Sequence, residues 1–150
     1  MKMHSASEVA RWFLSRNNQN VLEDGGELIS NLKLQKLLYY AQGTYLAITD
    51  TKLFNDPIVA WQHGPVVQNV YNEYRVNGSN GIENFEPIDL NNFDEETNEI
   101  LEAVYQNFGQ YSAWKLREKT HNETPWKETK RNDEIKTESI KEYFLKEYII

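Results

Sequence analysis

His121 and Glu123 are separated by one residue in "HNETPW", and His63 stands directly before a Gly-Pro pair in "AWQHGPVVQNVYNEYR", residues 60–75. An imidazole near a carboxylate can serve as an acid–base pair or as two metal ligands. Lys36, within "KLQKLLYYAQ", adds an amine whose pKa falls readily on burial. Together Lys36, His63, His121 and Glu123 define an enzymatic or ligand-binding reading, which requires a deep pocket joining all four. The same residues have a structural reading. His63 can hold its turn through a backbone hydrogen bond. His121 falls near a helix C-terminus, where the dipole favours an imidazolium. Lys36 can pack its stem and send its ammonium to a partner or to water.

The known catalytic spacings are missing. The three histidines, His4, His63 and His121, form no H-x-x-x-H pair. There is no G-x-x-x-x-G-K-[ST], no G-x-G-x-x-G and no G-x-S-x-G. There are no cysteines, which excludes disulfides, thiolate zinc sites and cysteine nucleophiles. Two ligands do not make a metal site, so no metal and no cofactor is expected. The acidic run "DEETNE" reads as a solvated helix start. Trp61 and Trp126 both adjoin turn residues, and they fit either loop-stapling aromatics or interface anchors.

Composition narrows the partners. The 150 residues carry a formal net charge of -7, with 39% hydrophobic and 13% aromatic residues. That suits one ordered domain spanning residues 1–150. An acidic surface disfavours nucleic acid as the main partner and suits a basic protein. The N-terminus lacks a secretory h-region, and no apolar run reaches membrane-spanning length, so a cytoplasmic protein is expected. The oligomeric state is left open.

The elements that must position these residues follow from periodicity. Ser5 with Glu8 predicts a capping box opening a first helix, whose face carries Val9, Trp12 and Phe13. The polar run from Asn17 to Gly26 reads as a loop. Ser30 or Asn31 caps a second helix. One of its stripes is Leu34, Leu37, Leu38, Ala41, Tyr45 and Ile48, and another holds Leu32, Tyr39 and Leu46. Apolar residues on two sides predict a central helix, with Gly43 admitting another backbone. Ile58 to Gln62 reads as a short strand or connector. Gly64 and Pro65 form a structural turn, with Pro65 opening a helix that buries Val66, Val67, Val70, Tyr71 and Tyr74. A loop follows over residues 75–93, then a helix from Asn92 or Asp94 to Phe108, ended by Gly109. Ser112 caps a shorter helix, Pro125 starts a helix or turn, and Thr137 caps a last helix over about 137–148. The fold class is mainly α: one compact domain of five or six helices with at most one or two short strands.

Three segments carry a family resemblance: "LKLQKLLYYAQGTYLA" (32–47), "AWQHGPVVQNVYNEYR" (60–75) and "YSAWKLREKTHNETPWKE" (111–128). In order and spacing they resemble the Panacea domain, the SocA-like or phage-associated family, over about residues 6–130. The matching positions are Leu34, Lys36, Leu37, Tyr39 and Ala41; then Ala60, Trp61, Gly64, Pro65, Val66 and Tyr71; then Ser112, Leu116, His121, Pro125 and Trp126. The resemblance implies a largely helical domain found in antitoxins of bacterial and prophage toxin–antitoxin systems. Such domains neutralise toxins of several unrelated kinds by protein contact, and no enzymatic activity is established for them. Some members carry an additional DNA-binding domain, for which this length leaves no room.

The expected function is therefore an antitoxin that binds a cognate toxin protein. Lys36, Tyr39, Trp61, His63, His121 and Trp126 are the candidate contacts, and Gly64, Pro65 and Pro125 the structural turns. The alternatives are the enzyme or ligand site around Lys36, His63 and His121, and a DNA-binding phage regulator. The latter would use a helix pair around Gly64 presenting Asn69, Asn72, Glu73 and Arg75, a poor electrostatic match to phosphate.

Overall fold

A computed structural model of the chain describes residues 3–84 and 86–149. Its axis is α2 (Asn31–Thr49), most of whose residues are buried. Around it pack α1 (Ala6–Asp24), α3 (Gln68–Tyr74), α4 (Glu95–Phe108), α5 (Ala113–His121) and α7 (Thr137–Glu147), with the four-residue α6 (Thr124–Lys127) between the last two. One short antiparallel hairpin, β1 (Val59–Trp61) and β2 (Gly64–Val66), completes the set. The architecture is mainly α, and the predicted central helix is central.

Local signals set most helix starts. Ser5 and Glu8 form the capping box of α1. Ser30, Asp94 and Ser112 each accept from a backbone N–H of the first turn of α2, α4 and α5. Lys36 and Tyr39 lie on the second face of α2 and are fully buried, because α5, α7 and the hairpin cover that face.

Five expectations are corrected. First, Asn17–Gly26 is not a loop, since α1 runs on to Asp24. Its polar residues find tertiary partners: the Asn17 amide donates to the Glu27 carbonyl and its oxygen accepts from the Ile29 N–H, both at 3.2 Å. Gly25, at φ 77°, ends the helix. Second, Pro65 opens no helix, because it lies in β2 opposite Ala60. Ala60 turns its N–H to Asp133 and its carbonyl to Asn132, away from Pro65. The pair therefore exchanges no ladder bonds, and the missing proline N–H loses nothing. The segment before Gly64 is thus a strand, and the helix-turn-helix alternative has no helix pair there.

Third, Gly43 admits a side chain and not a backbone: the Phe144 ring of α7 occupies the place of its Cβ. Fourth, Lys136 and not Thr137 is the cap residue of α7, without a side-chain bond. Fifth, Ile48 is 46% exposed, so the first stripe of α2 ends at Tyr45.

Candidate functional site

The hairpin, α2 and α5 bring most of the candidate residues into one region, on two levels. Below the hairpin, Lys36 is fully buried and its ammonium donates to the Pro65 carbonyl at 3.0 Å. Burial, reinforced by the Arg117 guanidinium, pulls its pKa down to about 7. Beside it Gln35 accepts from the Val67 N–H at 2.9 Å and donates to Asn31, whose amide donates to the Tyr71 carbonyl. Lys36, Gln35 and Asn31 thus carry polar links from α2 to the outer edge of β2, to the cap residue of α3 and to a carbonyl within α3.

Glu123 is also buried, but in a separate cage. Its carboxylate accepts from Tyr39 at 2.9 Å, from Tyr40 at 3.0 Å and from Tyr148. Burial raises its pKa, outweighing the three hydrogen bonds that favour the anion. The phenols in turn are held protonated, chiefly by burial and then by the carboxylate. Three donors converge on one acceptor pair, linking α2 to the C-terminal end of α7.

Above the hairpin lie the aromatic groups. The His121 ring stacks on Trp126 at 3.9 Å between centroids, while the Arg131 guanidinium sits 3.6 Å from the Trp126 centroid. Two groups that close cannot share one face, so the indole is sandwiched between them. Its N–H donates to the Trp61 carbonyl at 2.7 Å, which ties α6 to the hairpin. Burial, then the Arg117 charge, lowers the pKa of His121. His63 is exposed at the hairpin turn, and its Nδ1 accepts from Arg117 at 2.9 Å. Arg117 also lies 4.4 Å over the ring of Trp114.

Trp61, His63 and Trp114 line a cleft of about 680 Å³, whose other walls include Gln35, Val66, Tyr71 and Arg75. Trp61 meets Tyr71 edge-on at 4.9 Å, and Trp114 is 57% exposed. No described cavity joins Lys36, His63, His121 and Glu123. Lys36 is committed to Pro65, Glu123 to the tyrosines and His121 to Trp126, so the four groups serve different partners. Among the described residues no three His, Asp or Glu side chains gather as metal ligands would.

The structure therefore divides the six candidate contacts. Trp61 and His63 face the cleft. His121 and Trp126 are half-buried in the layer that supports the hairpin turn. Lys36 and Tyr39 have no exposed surface and touch only this chain while this packing holds. Sequence reasoning did not single out Trp114, Arg117, Tyr40 or Tyr148. Tyr40 was legible as one of two adjacent tyrosines on a two-sided helix. The others act through tertiary neighbours that no local pattern names.

A mainly helical domain, with a polar-locked hairpin and an aromatic cleft beside it, is the class that fold and site define. The chain belongs to the family described as "Antitoxin SocA-like, Panacea domain", whose model matches residues 34–127. It is 46% identical over 56 residues to "Antitoxin SocA" of Caulobacter vibrioides (strain NA1000 / CB15N), a match covering 37% of this chain and 30% of that relative. The chain thus spans about a third of the length of the curated relative it matches. No solved structure matches it. No described helix is long and apolar enough to cross a membrane.

Proposed function

We propose that this chain is a cytoplasmic antitoxin that neutralises a cognate protein toxin by direct contact, without catalysis of its own. Family membership supports the antitoxin role. The observation that carries the mode of action is the state of the reactive side chains. Lys36, Glu123 and His121 are each engaged by this chain's own groups, whereas Trp61, His63 and Trp114 are presented together at a cleft. Convergent aromatics backed by arginine are the composition of an interaction hot spot. Lys36, His121 and Trp126 contribute by holding the hairpin that presents this face, and Tyr39 by holding Glu123 in the core behind it.

The test is co-expression with the product of the adjacent gene, scored by growth and then by co-purification. The expected result is that the neighbour alone arrests growth and that this chain restores growth as a stable complex. Growth arrest that this chain does not relieve overturns the antitoxin reading. Rescue without a complex overturns direct contact and points to delivery of the toxin to a protease.

A further inference from the structure

The acidic balance of the chain is reversed at the cleft. The chain carries 23 Asp and Glu, yet none of the residues lining the cleft is acidic. Arg75 lines one side of it. Arg117 adjoins the other, anchored on His63 and lying over Trp114. Glu73, two residues before Arg75, accepts from Ser7 of α1 at 2.8 Å. Between the two arginines the walls are aromatic and aliphatic: Trp61, Tyr71, Val66 and Trp114.

Trp114 is an uncommon surface residue. More than half of it is exposed, and its indole N–H has no partner among the described residues, while Arg117 covers its ring. Leaving a large indole this exposed forgoes much of the burial free energy that an aromatic side chain otherwise gains. The guanidinium packed over its ring favours this rotamer before any partner arrives, and a favoured rotamer loses less entropy on docking.

Resting on the antitoxin reading, we propose that this cleft docks a short segment of the partner protein in which an apolar or aromatic side chain is flanked by Asp or Glu. The apolar side chain enters between Trp61, Tyr71 and Trp114, and the carboxylate pairs with Arg75 or Arg117. Arginine suits this task because its planar fork meets a carboxylate bidentately. The net negative charge of the chain still favours a basic partner at long range. Encounter and docking are thus governed by opposite signs, the first by the whole surface and the second by the cleft.

A library of random 12-residue peptides displayed on phage, panned against the full chain, tests this without knowledge of the toxin. Selected peptides are then measured as synthetic fluorescent probes against the wild type, Trp114→Ala and Arg75→Glu. Both substituted residues are exposed, so unchanged circular dichroism and melting are the folding controls. The expected result is enrichment of an aromatic or leucine beside Asp or Glu. Affinity should fall at least tenfold in Trp114→Ala. It should fall at least tenfold in Arg75→Glu too, and weaken as salt rises from about 0.05 to 0.5 M.

Enrichment of basic peptides, affinity indifferent to both substitutions, or no enrichment overturns the proposal. A wild-type dimer that Trp114→Ala converts to monomer also overturns it, in favour of a second copy as occupant. Failure of the co-expression experiment leaves this peptide measurement interpretable, and a complex with the neighbour that survives both substitutions overturns the cleft assignment while the antitoxin reading stands.

Discussion

The Lys36 ammonium, with no exposed surface, donates to the Pro65 carbonyl at 3.0 Å, so that α2 completes the free edge of the hairpin. The residue that sequence alone placed in a reactive or partner-binding site is the tie that holds the site's scaffold. Lys36→Ala leaves a cavity and an unpaired buried carbonyl, and should cost about 3–5 kcal/mol of stability. Lys36→Met keeps most of the volume and sheds the cost of burying a charge, and should cost at least about 1 kcal/mol less than Ala. Urea denaturation of the three proteins measures both. Equal losses would show that volume is irrelevant at this position.

The same burial makes a pH prediction. The Lys36 pKa is about 7 in the folded chain, against about 10.4 in an unfolded chain. Below the lower value both states hold the proton and Lys36 adds no slope. Between the two values the unfolded chain holds more protons, so stability rises with pH, by up to about 1.4 kcal/mol per unit. The stability of wild type minus that of Lys36→Met should therefore increase from pH 7 to pH 9.5. A flat difference would mean the amine is not desolvated.

Gly64 tests the other side of this tie. Its φ is 112°, and a Cβ there would lie 2.6 Å from Lys36 Cε and 2.9 Å from Thr120 Oγ1. Gly64→Ala meets both backbone strain and a clash with a lysine that has no room to move. The expected loss is about 2–4 kcal/mol, read from denaturant melts, with the cleft aromatics misplaced as a consequence. A loss under about 0.5 kcal/mol would show that the hairpin relaxes freely.

Most features determined within one helical turn were legible in the sequence: the Ser5–Glu8 box, the cap Ser112, and Ser30 and Asp94 each as one of two candidates, whereas Thr137 was read as a cap that falls on Lys136. The two-sided burial of α2 was legible too, since periodicity reports it directly. Pro65 was misread because its strand depends on residues 132–135 pairing with β1, some 70 positions later. Asn17 was misread because its amide is satisfied by Glu27, Ile29 and Tyr105, partners that exist only in the folded chain. Of the residues lining the cleft, the sequence reading named Trp61 and His63 but not Trp114, since an exposed indole on a short helix breaks no pattern. The separation of Glu123 from His121 was illegible for a related reason: the tyrosines that engage Glu123 come from two distant segments.

Glu123 should be the most sensitive carboxylate among the described residues. Glu123→Ala removes the common acceptor of Tyr39, Tyr40 and Tyr148, and should cost about 3–5 kcal/mol. Glu123→Gln keeps one acceptor oxygen and offers an amide to a phenol oxygen, so it should cost less. Its folded pKa is raised, so the native chain holds the proton more tightly than the unfolded one. Stability from this group is therefore greatest below the unfolded carboxylate value and is lost as pH rises through the folded value. Melting temperatures of wild type and Glu123→Gln at pH 5 and pH 8 measure this. The wild type should be favoured relative to Gln at the lower pH, and a reversed order would show that the three hydrogen bonds dominate burial.

Gly43 and Phe144 make a prediction whose sign depends on context. The Phe144 ring occupies the space where a Gly43 Cβ would project. Alanine is the better helix former by about 1 kcal/mol, so propensity alone favours Gly43→Ala. The collision opposes it, because Phe144 is fully buried among Tyr39, Tyr40 and Tyr148 and has no second position. Overpacking of this kind costs about 1–3 kcal/mol, so Gly43→Ala should destabilise the wild type. In a Phe144→Ala background the ring is gone, and the same substitution should be neutral or stabilising. A double-mutant cycle by urea denaturation gives the coupling. A coupling near zero would mean that α7 does not depend on this contact, whereas the expected value above about 1 kcal/mol makes Gly43 the position that admits α7 to the face of α2.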